Sequence, residues 1–246
     1  MINEFLQAIQ FLTRLPLSKH ANYVPGLAGA EVSWYAPTGL IIGVLMVLAG
    51  WICSLLLPPF LVSGIVLAIW VAITGALHLD GLGDCGDAWM GAHTPERMLE
   101  IMKDTSCGIG AIVAVALVLL LKFSALTLLI GQGDWSLLIF APVLARISLS
   151  LVIHTIPYRR PEGLGSALQA NLNFNGIVIS SLLMSLLLIL ISFHAFVYGV
   201  IAGGIAWLVI YRFLIKPIGG ATGDVYGALV EVTETLVLVG LVASLN

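Results

Sequence analysis

The chain has 246 residues, 60% of them hydrophobic and 9% charged, with a net charge of −3. Its mean hydropathy of +1.09 excludes an ordinary soluble domain, in which about a quarter of residues are charged. The acidic balance and the scattered Lys and Arg exclude a nucleic-acid partner, which would require a basic patch.

In chain order, residues 1–17 set Phe5, Leu6, Ile9 and Leu12 at helical spacing, with Glu4 ahead of any basic residue. That pattern is not a signal peptide. It predicts an amphipathic helix ending near Pro16, either at the membrane interface or packed on the protein. A first crossing is predicted at 38–57, and Pro58 and Pro59 then force a turn, since neither supplies a backbone N–H. Residues 60–79 return across the bilayer, and a polar segment follows at 80–107. Further crossings are predicted at 108–130 and 135–153, joined by GQGD. A polar stretch at 154–175 precedes a close pair, 176–193 and 196–210. A third polar connection, 211–224, leads to a last apolar stretch at 228–242. Apolar runs of this length span a bilayer as helices. The expected fold is an all-α, polytopic integral membrane bundle of about seven transmembrane helices, a single domain over 1–246 without an internal repeat.

Basic residues orient it. Arg14, Lys19, Arg97, Lys103, Arg159, Arg160, Arg212 and Lys216 all fall on one side, and the turns around Pro58, Gly131 and His194 carry none. The positive-inside rule places the N-terminus and the three polar segments in the cytoplasm. Lys122, inside the third crossing, is expected to snorkel toward the far interface, the alternative being a buried role. Cys53, Cys85 and Cys107 form no CxxC pair, and His78, Cys85 and His93 match no compact zinc spacing.

The chemistry is concentrated in HLDGLGDCGDAW, residues 78–89. If this run is helical, Asp80, Asp84 and Asp87 lie within one arc. Three carboxylates at a bilayer mouth repel one another and are costly to desolvate unless a cation intervenes. Mg2+, a hard ion that takes oxygen ligands and also holds phosphate, resolves the conflict. Gly81, Gly83 and Gly86 allow close backbone approach. The competing reading is a solvated, glycine-rich acidic connector.

A second acidic element, GGATGDVYGALVE, sets Asp224 and Glu231 on one helical face at the same membrane side. It is either part of the same site or a helix start with a snorkelling acid. Asp104 is a helix-stabilising acid or a further ligand. Arg146 lies eight residues before His154, roughly 12 Å into its crossing. It snorkels, holds a phosphate, or neutralises Asp224 or Glu231. Arg14, Arg159 and Arg160 either contact an anionic substrate or simply follow the charge asymmetry. His78 is a base, a ligand or a structural hydrogen-bonding group.

Carboxylate-held Mg2+ on a membrane face suits phosphoryl-group transfer. The motifs GxxxxGK[ST], G-x-S-x-G, H-E-x-x-H and CxxCH are absent, which disfavours P-loop nucleotide hydrolysis, serine hydrolysis, zinc proteolysis and haem attachment. The alternative is a cation-coupled transporter with the acidic cluster as its ion site. A scaffold without activity leaves the triple-Asp cluster unexplained.

LHLDGLGDCGDAW resembles the cobalamin synthase family, the adenosylcobinamide-GDP ribazoletransferases. So do FLTRLP, WYAPTGLIIG, MKDTSCGIGA and GGATGDVYGALVE, and the likeness covers essentially the whole chain. The resemblance implies a bacterial inner-membrane enzyme whose substrates are adenosylcobinamide-GDP and α-ribazole or its 5'-phosphate. The ribazole 3'-hydroxyl would attack the phosphate attached to cobinamide, and GMP would leave. It also implies Mg2+ on Asp80, Asp84 and Asp87, with Asp104, Asp224 and Glu231 as further members of the site. The logic is similar to that of CDP-alcohol phosphotransferases, whose motif begins D-G-x2-A-R. Here Asp84 stands at the Ala position and no Arg follows, so CDP-alcohols are not the expected substrates.

Overall fold

The computed structural model of the protein describes residues 2–16, 28–160 and 164–245. Lys19 and residues 1 and 17 of the amphipathic start lie outside those described residues. The N-terminal helix, α1 (Ile2–Leu12), buries Ala8, Ile9 and Leu12. Its Phe5 and Phe11 rings meet Trp34 and Tyr35 at centroid distances of 5.3 and 5.9 Å, so the helix is seated on the bundle.

The bundle runs α2 (Tyr35–Ser54), α3 (Pro59–Thr74), α4 (Leu77–Gly91), α5 (Pro95–Ile101), α6 (Ile109–Gln132) and α7 (Phe140–Thr155). It continues with α8 (Leu164–Ala170), α9 (Phe174–Ile191), α10 (Phe193–Ile210), α11 (Lys216–Ile218) and α12 (Gly223–Ala243). A π-helical turn, Tyr211–Ile215, joins α10 to α11. Among the described residues, six helical stretches are long and apolar enough to cross a membrane, or seven if α3 and α4 form one broken span. The boundaries follow local chemistry. Pro59 occupies the first turn of α3, where a missing N–H does no harm. Ser192 alone separates α9 from α10, its backbone extended and its hydroxyl accepting from the Ala195 N–H. Thr222 caps α12 by accepting from the Val225 N–H.

The second crossing differs from expectation. It does not continue to residue 79: α3 ends at Thr74, and α4 leaves it at 90°. Gly75 and Ala76 both adopt left-handed backbone conformations, with φ of 62° and 55°, and two such residues in succession stop an α-helix. The 16 residues of α3 extend about 24 Å, short of a hydrocarbon core of about 30 Å. Apolar sequence persists across the break, so hydropathy does not mark it.

The turn lays α4 between α6 and α12. A Cβ on Gly81 would stand 2.8 Å from the Asp224 carbonyl oxygen, and one on Gly227 would stand 2.9 Å from that of His78. On the other flank, a Cβ on Gly86 would be 2.7 Å from the Gly110 oxygen, and one on Gly110 would be 2.5 Å from the Gly86 oxygen. Hydrogen in place of a side chain lets these three backbones touch, as in other small-residue membrane contacts.

Two apolar cores fill the bundle. One gathers Leu12, Leu79, Leu149, Ile153 and Leu229, and the other gathers Met46, Val66, Leu126, Leu138 and Leu241. Leu182, Leu183, Leu186 and Leu190 of α9 face outward, as expected against lipid.

Gly227→Ala is expected to push α4 from α12 and to destabilise the protein by about 1–3 kcal/mol. Gly204→Ala, in α10 with no atom within 4 Å of an added Cβ, is expected to be neutral or slightly stabilising. Thermal unfolding of the two variants in one detergent checks the contrast.

Candidate active site

The helical turns of α4 carry Asp80, Asp84 and Asp87 down one side. Asp80 is exposed, and Asp84 and Asp87 are half-buried. Asp80 borders two cavities. One is relatively enclosed, about 300 Å³, and its wall also includes His78, Arg160, Asp224 and Tyr226. The other is more open, about 580 Å³, and is lined by Asp84, Asp87 and the 105–107 turn together with α6.

Asp224 reaches this place through a chain clamp. Residues 157–159 pair with 221 in a short parallel bridge: the Arg159 N–H donates to the Ala221 carbonyl at 2.8 Å, and the Ala221 N–H donates to the Pro157 carbonyl at 3.0 Å. This sets Arg160 beside the start of α12, where its Nη2 donates to Asp224 Oδ2 at 2.8 Å. The Thr222 hydroxyl donates to the same oxygen at 3.3 Å. Four carboxylates therefore lie around the two cavities, with Arg160 as the one Lys or Arg among the described residues that line them.

Asp87 is bound to the frame. Its two oxygens accept from the backbone N–H groups of Gly108 at 2.7 Å and Ala111 at 2.9 Å. These are orphan donors of the first turn of α6, so Asp87 caps that helix from a neighbouring one. Asp104 is exposed and its Oδ1 accepts from the Ser106 hydroxyl at 2.7 Å and from the Ser106 N–H at 3.0 Å. These bonds, the hydroxyl's foremost, hold its carboxyl below the ordinary range. It lines neither cavity.

Arg14 and Arg159 have exposed side chains away from both cavity walls. The Arg14 N–H donates to the Ile73 carbonyl at 2.7 Å and its side chain lies against Gly75, bracing the α3–α4 break. His78 is buried in the wall of the enclosed cavity with its Nε2 unpartnered.

Arg146 and Glu231 belong to a different cluster. Arg146 is fully buried and pairs with Glu234, a residue that sequence reasoning overlooked. Lys122 does not snorkel. It is buried, donates to Glu231 at 2.7 Å and also to Glu234, and lies 4.3 Å from the centroid of the Trp70 ring. Two acids and two bases thus neutralise one another inside the membrane, where an unpaired charge is prohibitive. On each helix the charge separates the two apolar cores: Lys122 between Val118 and Ala125, Arg146 between Leu144 and Leu149, and the glutamates between Val230 and Val237. Glu231 faces Lys122 rather than Asp80, which is why helical periodicity from Asp224 does not bring it to the carboxylates. The available signal was a charge count: two acids in the last crossing and one base in each of two others.

The four carboxylates at the junction are hard oxygen donors, which suits Mg2+. Among the described residues, no three His, Cys, Asp or Glu side chains form a ready-made cage. That fits an ion held by one or two carboxylates, with water and substrate phosphate completing its shell.

The family model for cobalamin-5-phosphate synthase matches residues 4–242. An adenosylcobinamide-GDP ribazoletransferase of Pseudomonas aeruginosa (strain UCBPP-PA14) is 44% identical, over 98% of both chains. Proteins of the same description from Stutzerimonas stutzeri (strain A1501) and Pseudomonas putida (strain KT2440) are 43% and 39% identical, over 96% and 98% of this chain and 96% and 99% of their own. No solved structure matches.

Lys122→Met removes the cation beside Glu231 and is expected to destabilise by about 3–5 kcal/mol. Adding Glu231→Gln, which removes the stranded charge, is expected to recover much of the loss. Chemical or thermal unfolding of the single and double variants in detergent tests the pairing.

Proposed function

The chain belongs to the cobalamin-5-phosphate synthase family, and from that premise we propose that its acidic junction performs adenosylcobinamide-GDP ribazoletransferase chemistry. The observation that carries this reading is the position of Asp80, which borders both cavities at once. A transfer between two large substrates needs one reacting centre reachable from two sides.

Asp80, Asp84 and Asp224 are the residues among which one or two would hold Mg2+. Bound there, the ion supplies charge neutralisation for the diphosphate of the donor and for the departing GMP. Asp87 and Asp104 act on the frame around the site, through the start of α6 and the turn at 104–106. Glu231 and Arg146 hold the helices at the level of the charged layer. Arg160, paired with Asp224 at the cavity wall, can turn its guanidinium to a phosphate oxygen when the diphosphate arrives. The 3'-hydroxyl oxygen of α-ribazole, or of its 5'-phosphate, bonds to the phosphorus that carries cobinamide. The P–O bond to GMP breaks, the hydroxyl proton passes to a carboxylate of the junction, and adenosylcobalamin or its 5'-phosphate is formed.

The whole chain serves as one transferase domain of a bacterial inner membrane, with α1 seated on the bundle and the carboxylates on the cytoplasmic side. The distribution of Lys and Arg supports this orientation. The likeness to CDP-alcohol phosphotransferases is one of logic: carboxylates on helix ends present a metal and a diphosphate at the membrane face. A cation-coupled transporter is disfavoured because Lys122 and Arg146 neutralise the intramembrane glutamates, leaving no net charge there for a travelling ion.

Purified protein given adenosylcobinamide-GDP, α-ribazole 5'-phosphate and Mg2+ is expected to release GMP in step with product. Asp84→Asn is expected to lower turnover by roughly 10²-fold or more, the scale of several kcal/mol of lost transition-state stabilisation, with its unfolding transition intact. Undiminished turnover in excess chelator would overturn the metal assignment.

A further inference from the structure

The enclosed cavity has walls that the phosphate chemistry does not require. About 300 Å³ is enclosed among α1, α4, α7, α8 and α12, with Phe11, Leu149, Ile153 and Leu168 supplying apolar surface and Tyr158 and Tyr226 supplying rings. The two tyrosine rings lie 6.0 Å apart, tilted by 33°. Gly165 leaves room for the Tyr158 ring: a Cβ there would stand 2.1 Å from its Cε2.

Two side-chain polar atoms in this wall have no partner, the Tyr226 hydroxyl and His78 Nε2, on residues only 6% and 4% exposed. Gln169 approaches the Tyr226 oxygen as a hydrogen-bond donor, which leaves the Tyr226 O–H itself without an acceptor. Its Nε2 donates to the Ile153 and Ile156 carbonyls, and its Oε1 accepts from the Tyr158 N–H. A buried polar group without a partner destabilises by about 1–3 kcal/mol, so both atoms favour a ligand that brings partners of its own. Asp80, Asp224 and Arg160 form the polar end of the same cavity.

We propose that this cavity is the slot for the base of the acceptor nucleoside, the benzimidazole of α-ribazole, with the ribose hydroxyl directed to Asp80 and Asp224. The inference rests on the ribazoletransferase reading and assigns its acceptor side. A benzimidazole nucleoside is flat and largely apolar, and its base has one ring nitrogen free to accept, which the Tyr226 O–H can fill. Guanine, the other flat bicycle in the reaction, carries donors and acceptors along both edges. With Asp80, Asp224 and Arg160 taken up by the ribose and phosphate end, guanine would meet only the two tyrosines, His78 and apolar walls, and several of its groups would be left unpaired. The corrin macrocycle with its amide arms does not fit a space of this volume. The donor therefore enters through the open cavity on the other side of Asp80, about 580 Å³.

The test is the Michaelis constant of each substrate, measured with the other saturating, in purified full-length protein. Tyr226→Phe is expected to raise KM for α-ribazole about tenfold, the loss of one hydrogen bond, with KM for adenosylcobinamide-GDP unchanged. Leu168→Trp fills the slot and is expected to raise the acceptor KM further, again sparing that of the donor. If the tryptophan does not fold, Tyr226→Phe alone decides. An unchanged acceptor KM in Tyr226→Phe overturns the proposal, and a rise in the donor KM instead would assign the slot to guanine. Failure of the parent protein to release GMP at all is a different result, and would sink the ribazoletransferase reading itself.

Discussion

The backbone of α4 lies in direct contact with those of α6 and α12, and the position of every group at the active junction depends on that closeness. Gly81 and Gly227 bring α4 against the start of α12, so Asp80 and Asp224 border one cavity. Gly86 and Gly110 bring it against the start of α6, where Asp87 satisfies the free N–H groups of the first turn. A helix of ordinary side chains would stand about 8–10 Å from its neighbours, and the acids would then face separate solvent volumes. The break at Gly75 and Ala76 makes the arrangement possible, because only a helix turned by 90° can present its carboxylates across the ends of two others.

Below the junction the charges obey a different constraint. Lys122, Arg146, Glu231 and Glu234 lie between two apolar cores and are neutral as a set. Ion pairs of this kind are weak contributors to net stability when compared with apolar packing, and very costly to break one member at a time. Their effect is to specify which faces of α6, α7 and α12 meet. That choice also fixes the rotation of α12, and with it the direction in which Asp224 and Tyr226 point.

In the proposed assignment the two cavities take the two substrates. The open one borders acids and a polar turn, which suits a charged diphosphate and a bulky donor. The enclosed one joins apolar and aromatic walls to a polar end of Asp80, Asp224 and Arg160, which suits the proposed occupant, a flat base carrying a ribose. Asp80 borders both cavities, so in that assignment the two substrates would reach one carboxylate from separate sides.

Membrane class, the approximate limits of the crossings, and the shared face of Asp80, Asp84 and Asp87 were legible in the amino-acid sequence. Hydropathy and helical periodicity depend only on residues near one another along the chain. The 90° break was not legible, because the apolar run from α3 into α4 hides two left-handed residues. Nor was the pairing of Arg146 with Glu234, or the turning of Glu231 toward Lys122 and of Asp87 toward α6. Which charge finds which partner depends on the helix faces that pack together, and those contacts span 21 residues for Asp87 and Gly108 and 109 for Lys122 and Glu231. Local sequence determined that carboxylates gather on α4. Long-range packing decided which of them stay open at the cavity walls and which are tied into the scaffold.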